Sequence, residues 1–389
     1  MFLFPSQTIL TFSGSPGLPR GLAYFYYFEI SNVPKFRETF GKFILPKITT
    51  SETVVNLNPP LPPPPNPEVT FLGVNVGLSD LGLQLFGLND SLLDDSFKKG
   101  QQQDAKSLGD AGTQRGEFWT PNWDAEYKVD IHGIFIITAY NNNIADKFVD
   151  DMEAAFALPN RRSSIKRVVL LKGGLRPKSP VDESRNDHFG YRGGGIGNPQ
   201  VKGVTYKTEM KYPGAAIIPI GVIVMGYDGD EDKDRRPVWA KDGAFMVTRK
   251  LCTLVPEFDA FLRQHGPELF PDLPLQKAAD KLGARLFGRW KNGESVSKSL
   301  PVFFSLFCLC ASRLTCNSIG TPVELSPDND DPSIAADDKK LNNFTYDQKA
   351  GQSRCPYAAH LRKSNPRNDV TPVEAAFKHQ YVSNLSITM

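Results

Sequence analysis

The stretch VDIHGIFIITAYNNNIADKFVDDMEAAFALPNRRSSIKRVVLLKGGL, residues 129–175, changes its apolar period twice. VDIHGIFIITA is rich in β-branched and aromatic residues and predicts a strand. NNNIADKFVDDMEAAFAL then places apolar residues at helical spacing, and RRSSIKRVVLLKGGL returns to a strand. A strand, a helix and a second strand within so few residues make one βαβ unit of a two-layer domain.

Working outward, the same alternation surrounds this unit. LAYFYYFEI, residues 22–30, predicts an aromatic strand, and NVPKFRETFGKFILPKI continues with helical spacing. VTFLGVNVGLS predicts a strand and SDLGLQLFGL a helix. After PIGVIVMGY the order recurs, with DGAFMVTRKLCTL as strand and PEFDAFLRQHG as helix. Repeated strand–helix units with aromatic strands point to α+β architecture of the ferredoxin-like type, in two related domains, more than to a Rossmann sheet.

Composition bounds the function. With 389 residues, 40% hydrophobic and 23% charged, the chain has enough apolar material for two cores. A formal charge of +2 makes no field suited to nucleic acid or an anionic membrane, so neither is expected as a partner. The apolar start MFLFPSQTILTFSGSPG lacks a basic n-region, and the longest apolar run, Leu300 to Ala311, is well short of the roughly 20 residues needed to span a bilayer. No compartment follows from this. Cys308, Cys310 and Cys316 crowd together, with Cys252 and Cys355 elsewhere, a spacing that suits free or buried thiols rather than a disulfide framework or zinc site. The proline run at 59–65 reads as a stiff connector, with a proline-ligand adaptor as the competing reading.

Two motifs imitate ligand sites. HFGYRGGGIGNPQVKG, residues 188–203, is glycine-rich, but no register from Gly190, Gly193, Gly194 or Gly195 gives G-x-G-x-x-G, and no Lys-Ser or Lys-Thr follows. In YDGDEDKD, residues 227–234, Lys233 stands where an EF-hand loop needs glycine, which predicts a solvated turn.

Four segments, in order, resemble the fungal branch of the dye-decolorizing (DyP-type) haem peroxidases. They are GVNVGLSDLGLQLFGL with SFKKGQQQDAKSLGD, then HFGYRGGGIGNPQVKG, then WAKDGAFMVTRKLCTLVPEFDAFL, and finally RCPYAAHLRKSNPRND. The resemblance runs from about Gly17 to about His379. It implies two ferredoxin-like domains of the dimeric α+β barrel type, a haem b cofactor held largely by the second, and oxidation of bulky dyes or phenols by hydrogen peroxide. Aromatic reductants are the implied partners, with Trp119, Trp123, Trp239 and Trp290 as candidates to relay electrons. The implied division is an unmatched segment 1–16, a first domain 17–215 and a haem-binding domain 216–389.

Carried over residue by residue, His360 in CPYAAHLRKSNPR matches the segment bearing the family's proximal iron ligand. Of the other histidines, His132 reads as strand packing and His265 as a helix cap. Arg362, Lys363 and Arg367 surround His360, and Arg362 and Arg367 are the candidates for the haem propionates, Arg367 the better of the two.

Splitting a peroxide O–O bond needs a group that moves a proton between the two oxygens and a donor for the developing charge. The family uses an aspartate in G-x-x-D-G and an arginine. Here Gly193 occupies the aspartate's position, and Asp187 substitutes for it only in a differently folded loop. The family's distal arginine lies beyond the proximal-histidine motif, and no residue up to Met389 matches it, so a truncated second domain is expected. Glu294–Ile319 interrupts the resemblance. Without it GRWKNG joins GTPVELSPDNDDP, and the flanking codons can hold an intron start and end, as can those for Val382-Ser383. An insertion of translated intron at 294–319 and a read-through terminus are therefore expected. The alternative to a working peroxidase is a catalytically impaired haem-binding remnant or a mis-predicted gene product.

Overall fold

The structure, a computed structural model, describes residues 2–5, 22–50, 70–174, 187–191, 200–201, 217–291, 320–335, 337–347, 352–364 and 367. Gly193, the insertion 294–319, the proline run, the cysteines at 308, 310 and 316, and the terminus after Arg367 lie outside the described residues.

The strands are β1 (Phe2–Pro5), β2 (Leu22–Ile30), β3 (Leu72–Leu78), β4 (Gly112–Arg115), β5 (Phe118–Pro121), β6 (Gly133–Ala139), β7 (Ile165–Gly174), β8 (Gln200–Val201), β9 (Ile217–Ile218) and β10 (Gly243–Met246). The helices are α1 (Val33–Thr39), α2 (Asp80–Leu85), α3 (Asp95–Lys99), α4 (Gln101–Asp104), α5 (Asn142–Ala155), α6 (Val255–Leu269), α7 (Leu275–Phe287), α8 (Pro332–Ala335), α9 (Asp338–Asn342) and α10 (His360–Ser364).

The main sheet runs β10-β1-β3-β6-β2-β7, and every pairing in it is antiparallel. Its strands β3-β6-β2-β7 have the order of a ferredoxin-like βαββαβ unit, with α1 following β2 and α5 joining β6 to β7. Alternation along β2 splits its aromatics between two faces. Tyr24, Tyr26 and Phe28 enter the core beneath the helices, and Phe25 and Tyr27 join a second cluster on the far face. Each such side chain contributes about 1.5–3 kcal/mol on burial.

Local chemistry sets the helix ends. Asn32 and Asn141 cap α1 and α5 by accepting from the N–H groups of Lys35 and Ile144. α5 buries Ala145, Phe148, Val149 and Met152 at the spacing its sequence predicts. His132 does more than pack: its Nδ1 accepts from Ile30 N at 2.9 Å, tying β6 to the end of β2. His265 lies in the last turns of α6, 2.7 Å from Glu268.

The second half departs from the expected pattern at its strand. The strand predicted for DGAFMVTRKLCTL stops at Met246, because Thr248–Cys252 turns back over the first half. Ahead of it, PIGVIVMGY forms a 3-10 turn over Ile220–Val222. β10 joins the first half's sheet through β1, so Phe2–Pro5 is paired chain even though the resemblance begins later. The acidic turn at 227–234 is only partly solvated: Asp230 is buried and bonded twice by Arg236, at 2.9 Å each.

Candidate functional site

The site grows from the end of α7. Gly288 closes this helix in the left-handed conformation at φ +84°, which lets its N–H reach Ala284 O and leaves Phe287 on the last turn. A side chain at Gly288 would overlap Leu361 of α10, so the glycine also lets the two helices meet.

The loop Asp187–Tyr191 folds onto Phe287. Asp187 N donates to Tyr191 O, and Asp187 Oδ1 accepts from Tyr191 N, both at 2.8 Å. Gly190 makes the tight turn at φ +88°. Phe189 then meets the edges of Phe258 and Phe287, with centroids 4.9 and 5.8 Å away, while the buried Tyr191 stacks on Phe287 at 3.7 Å. Desolvation raises the pKa of the Tyr191 hydroxyl. Asp187 is exposed taken whole, yet its carboxyl is tucked under the loop. Desolvation pushes that carboxyl up, against the pull of the Tyr191, Phe189 and Gly190 N–H groups and of nearby His360.

His360 opens α10 with its ring 6.1 Å from that of Phe287, and its side is open to solvent. Phe287 is thus the common neighbour of the glycine loop and the histidine, two segments that lie far apart in sequence. For the haem that the resemblance implies, the donor chemistry fits on the iron side: an accessible imidazole on a helix end, backed by an aromatic ring.

The propionate candidates are placed differently. Arg362 is buried between Tyr346 and Tyr357, each ring 4.4 Å from its guanidinium, and donates to Cys355 O at 2.8 Å. Arg367 lies 3.8 Å over Phe344 and donates to Asn342 O and Phe344 O, both at 2.8 Å. The Arg362 guanidinium thus binds a carbonyl of the segment that carries His360, and that of Arg367 binds carbonyls at and just beyond the end of α9. Lys363 is exposed.

Sequence reasoning missed the residues that hold this segment down. Arg285 of α7 donates to the carbonyls of Gln352, Ser353 and Arg354. Glu324 accepts from Asp347 N at 2.8 Å and Cys355 N at 3.2 Å. Arg289 donates to Asn342 Oδ1, and burial, aided by neighbouring Arg367, pushes its pKa down to about 10. A lone arginine or glutamate carries no sequence signal for such a role, since it reads equally well as a surface charge.

Residues 15–177 match the family profile described as the DyP dimeric alpha+beta barrel domain. A solved structure of a dye-decolorizing peroxidase variant from Pleurotus ostreatus superposes with a TM-score of 0.77 at 32% identity, over 96% of this chain and 72% of that one. The chain belongs to the dye-decolorizing peroxidase family. An ancestral D-type dye-decolorizing peroxidase is similar at 34% identity and TM-score 0.74, over 96% of this chain and 73% of that one. Among curated dye-decolorizing peroxidases, msp1 of Mycetinis scorodonius is 32% identical over 95% of this chain and 62% of its own length. AauDyP1 of Auricularia auricula-judae is 31% identical over 91% of this chain and 59% of its own. The chain therefore spans about three fifths of the curated dye-decolorizing peroxidases it matches.

Proposed function

We propose that the chain is a haem-dependent peroxidase that oxidises bulky dyes or phenolic compounds with hydrogen peroxide, with His360 as the iron ligand. The observation that carries this reading is the meeting of His360 and the Asp187–Tyr191 loop on the single ring of Phe287. A structural relative of this chain, a dye-decolorizing peroxidase at 31% identity and TM-score 0.68, is in complex with 2,6-dimethoxyphenol, which supports the phenolic substrate class.

Bound haem supplies the redox chemistry. The chain's own residues hold and orient: Phe287 limits the tilt of the His360 imidazole, and Gly288 sets how closely α10 approaches α7. Haem b is the type we infer, because the sequence has no C-x-x-C-H attachment motif. Arg362 and Arg367 serve as propionate partners in this reading only if each exchanges a main-chain carbonyl for a carboxylate. Hydrogen peroxide and aromatic reductants are the partners.

Gly193 has no side chain, and its identity favours a second reading, a haem-binding protein with impaired turnover. Losing a general acid–base group costs about 10²- to 10⁴-fold in rate.

The experiment is reconstitution with haem followed by absorption spectroscopy. A Soret band that His360→Ala abolishes supports the haem assignment, and a band unchanged by that substitution overturns the ligand. Peroxide-dependent dye bleaching then separates the two readings. Turnover that rises when Gly193→Asp is introduced supports the peroxidase, and haem binding without bleaching in either form supports the impaired protein.

A further inference from the structure

The helix that carries His360, α10, spans only His360–Ser364. A helix this short has little stability of its own, so its place is set by what anchors the chain around it. The anchor ahead of it is a single side chain of α7. Arg285 donates from Nη1 to the carbonyls of Ser353 and Arg354, both at 2.9 Å, and from Nη2 to that of Gln352 at 2.5 Å. These acceptors are consecutive. The planar fork of a guanidinium suits such a row, whereas an ammonium offers its donors from one point.

The grip passes to His360 through Cys355, which is buried and bonded through both its N–H and its carbonyl. The N–H donates to Glu324 at 3.2 Å, and the carbonyl accepts from Arg362 of α10 at 2.8 Å. Beyond it, Ala359 N donates to Pro356 O at 3.0 Å and Lys363 N to Ala359 O at 3.1 Å. A line of main-chain bonds therefore leads from the turn into α10.

The end of α7 meets this segment at three levels: Arg285 at the turn, Phe287 at the imidazole and Gly288 at Leu361. Phe287 and Gly288 limit approach by contact. Arg285 alone of the three supplies directional side-chain bonds, and these fix a position as well as a distance. Resting on the reading of His360 as the iron ligand, we propose that Arg285 is its positioning residue. The guanidinium sets the turn Gln352–Arg354 against α7 and, through Cys355, the level along α7 at which the His360 imidazole stands.

The test is Arg285→Lys in the full chain, which keeps the charge and loses the fork. Without haem, amide exchange at Ala359 and Lys363 should quicken about tenfold, the worth of one hydrogen bond. The His360 ring proton resonance, assigned by its absence from His360→Ala, should shift. With haem, the titration should weaken about tenfold, the low end for a group that orients a metal ligand, and the Soret band should move. Asp230→Asn is the comparison: it loosens the acidic turn at 227–234 instead, and should change none of these readouts. Either haem-free readout left unchanged by Arg285→Lys overturns the proposal, as does an unaltered titration when the parent chain binds haem through His360. A parent chain without a Soret band sinks the haem reading alone, because the two haem-free readouts still decide whether Arg285 places His360.

Discussion

The ring of Tyr191 lies flat on that of Phe287, with centroids 3.7 Å apart and planes 8° from parallel. This stack fixes the glycine loop to the end of α7, whose last residue also borders His360. Phe287→Leu keeps apolar volume but removes the stack, an interaction worth about 0.5–1.5 kcal/mol beyond burial. A loss of about 1–2 kcal/mol in urea-unfolding free energy is expected, with a weaker haem titration than the parent chain. Full haem affinity in this variant would detach the loop from the site.

Gly288→Ala forces a side chain into the left-handed region, at roughly 1–2 kcal/mol, and into the Cβ of Leu361. The second effect moves α10, and His360 with it. The expected result is a Soret band shifted or reduced out of proportion to the change in thermal unfolding temperature.

Asp230 is predicted to set part of the acid stability. Burial alone would raise its carboxyl, but the bonds from Arg236 and the N–H of Gly226 hold it below the usual carboxylate range. A folded pKa below the unfolded value of about 3.9 gives stability that is complete above that pH and is lost as pH falls through the folded value. Asp230→Asn should lower stability by about 2–3 kcal/mol near pH 7, since it strands a largely buried guanidinium. It should also flatten the acid limb of an unfolding-versus-pH curve.

Glu324 spans two segments, accepting from the N–H groups of Asp347 and Cys355 while its own residue is buried. Glu324→Gln turns one acceptor into a donor facing an N–H. About 1–3 kcal/mol of destabilisation is expected by urea unfolding, along with faster hydrogen exchange at those two amides.

The chain on either side of the expected insertion returns to itself. Trp290 N donates to Thr321 O and Val323 N to Gly288 O, both at 3.0 Å. Gly320 lies so close to the Trp290 backbone that a side chain there would overlap it. Deleting Glu294–Ile319 should leave these bonds intact and preserve or raise the unfolding temperature. A collapse of cooperative unfolding would count against the insertion, as would spliced transcripts that carry codons 294–319.

Much of the first half was legible in its letters. Aromatic and β-branched runs in β2, β6 and β7, alternation in β3 and helical spacing in α5 predict the ferredoxin-like unit, because strand and helix each dictate which side chains fit and where apolar ones recur. The second half was less legible. The alternating run from Asp242 ends at Met246 because Arg249 and Lys250 are drawn to Asp110 and Asp124, partners more than a hundred residues away. No local pattern encodes such a pairing.

The site divides in the same way. From sequence alone came the identity of its chemical groups: the His360 imidazole, the glycine at 193, and the arginines at 362 and 367. Tertiary structure decided what each group faces. It turned Arg362 onto a carbonyl of its own segment and Arg367 onto carbonyls near the end of α9, and it brought His360 and the Asp187–Tyr191 loop to one aromatic ring. Side-chain chemistry is local and is written in the chain, whereas burial and partnership depend on contacts between distant residues that exist only once the chain has folded.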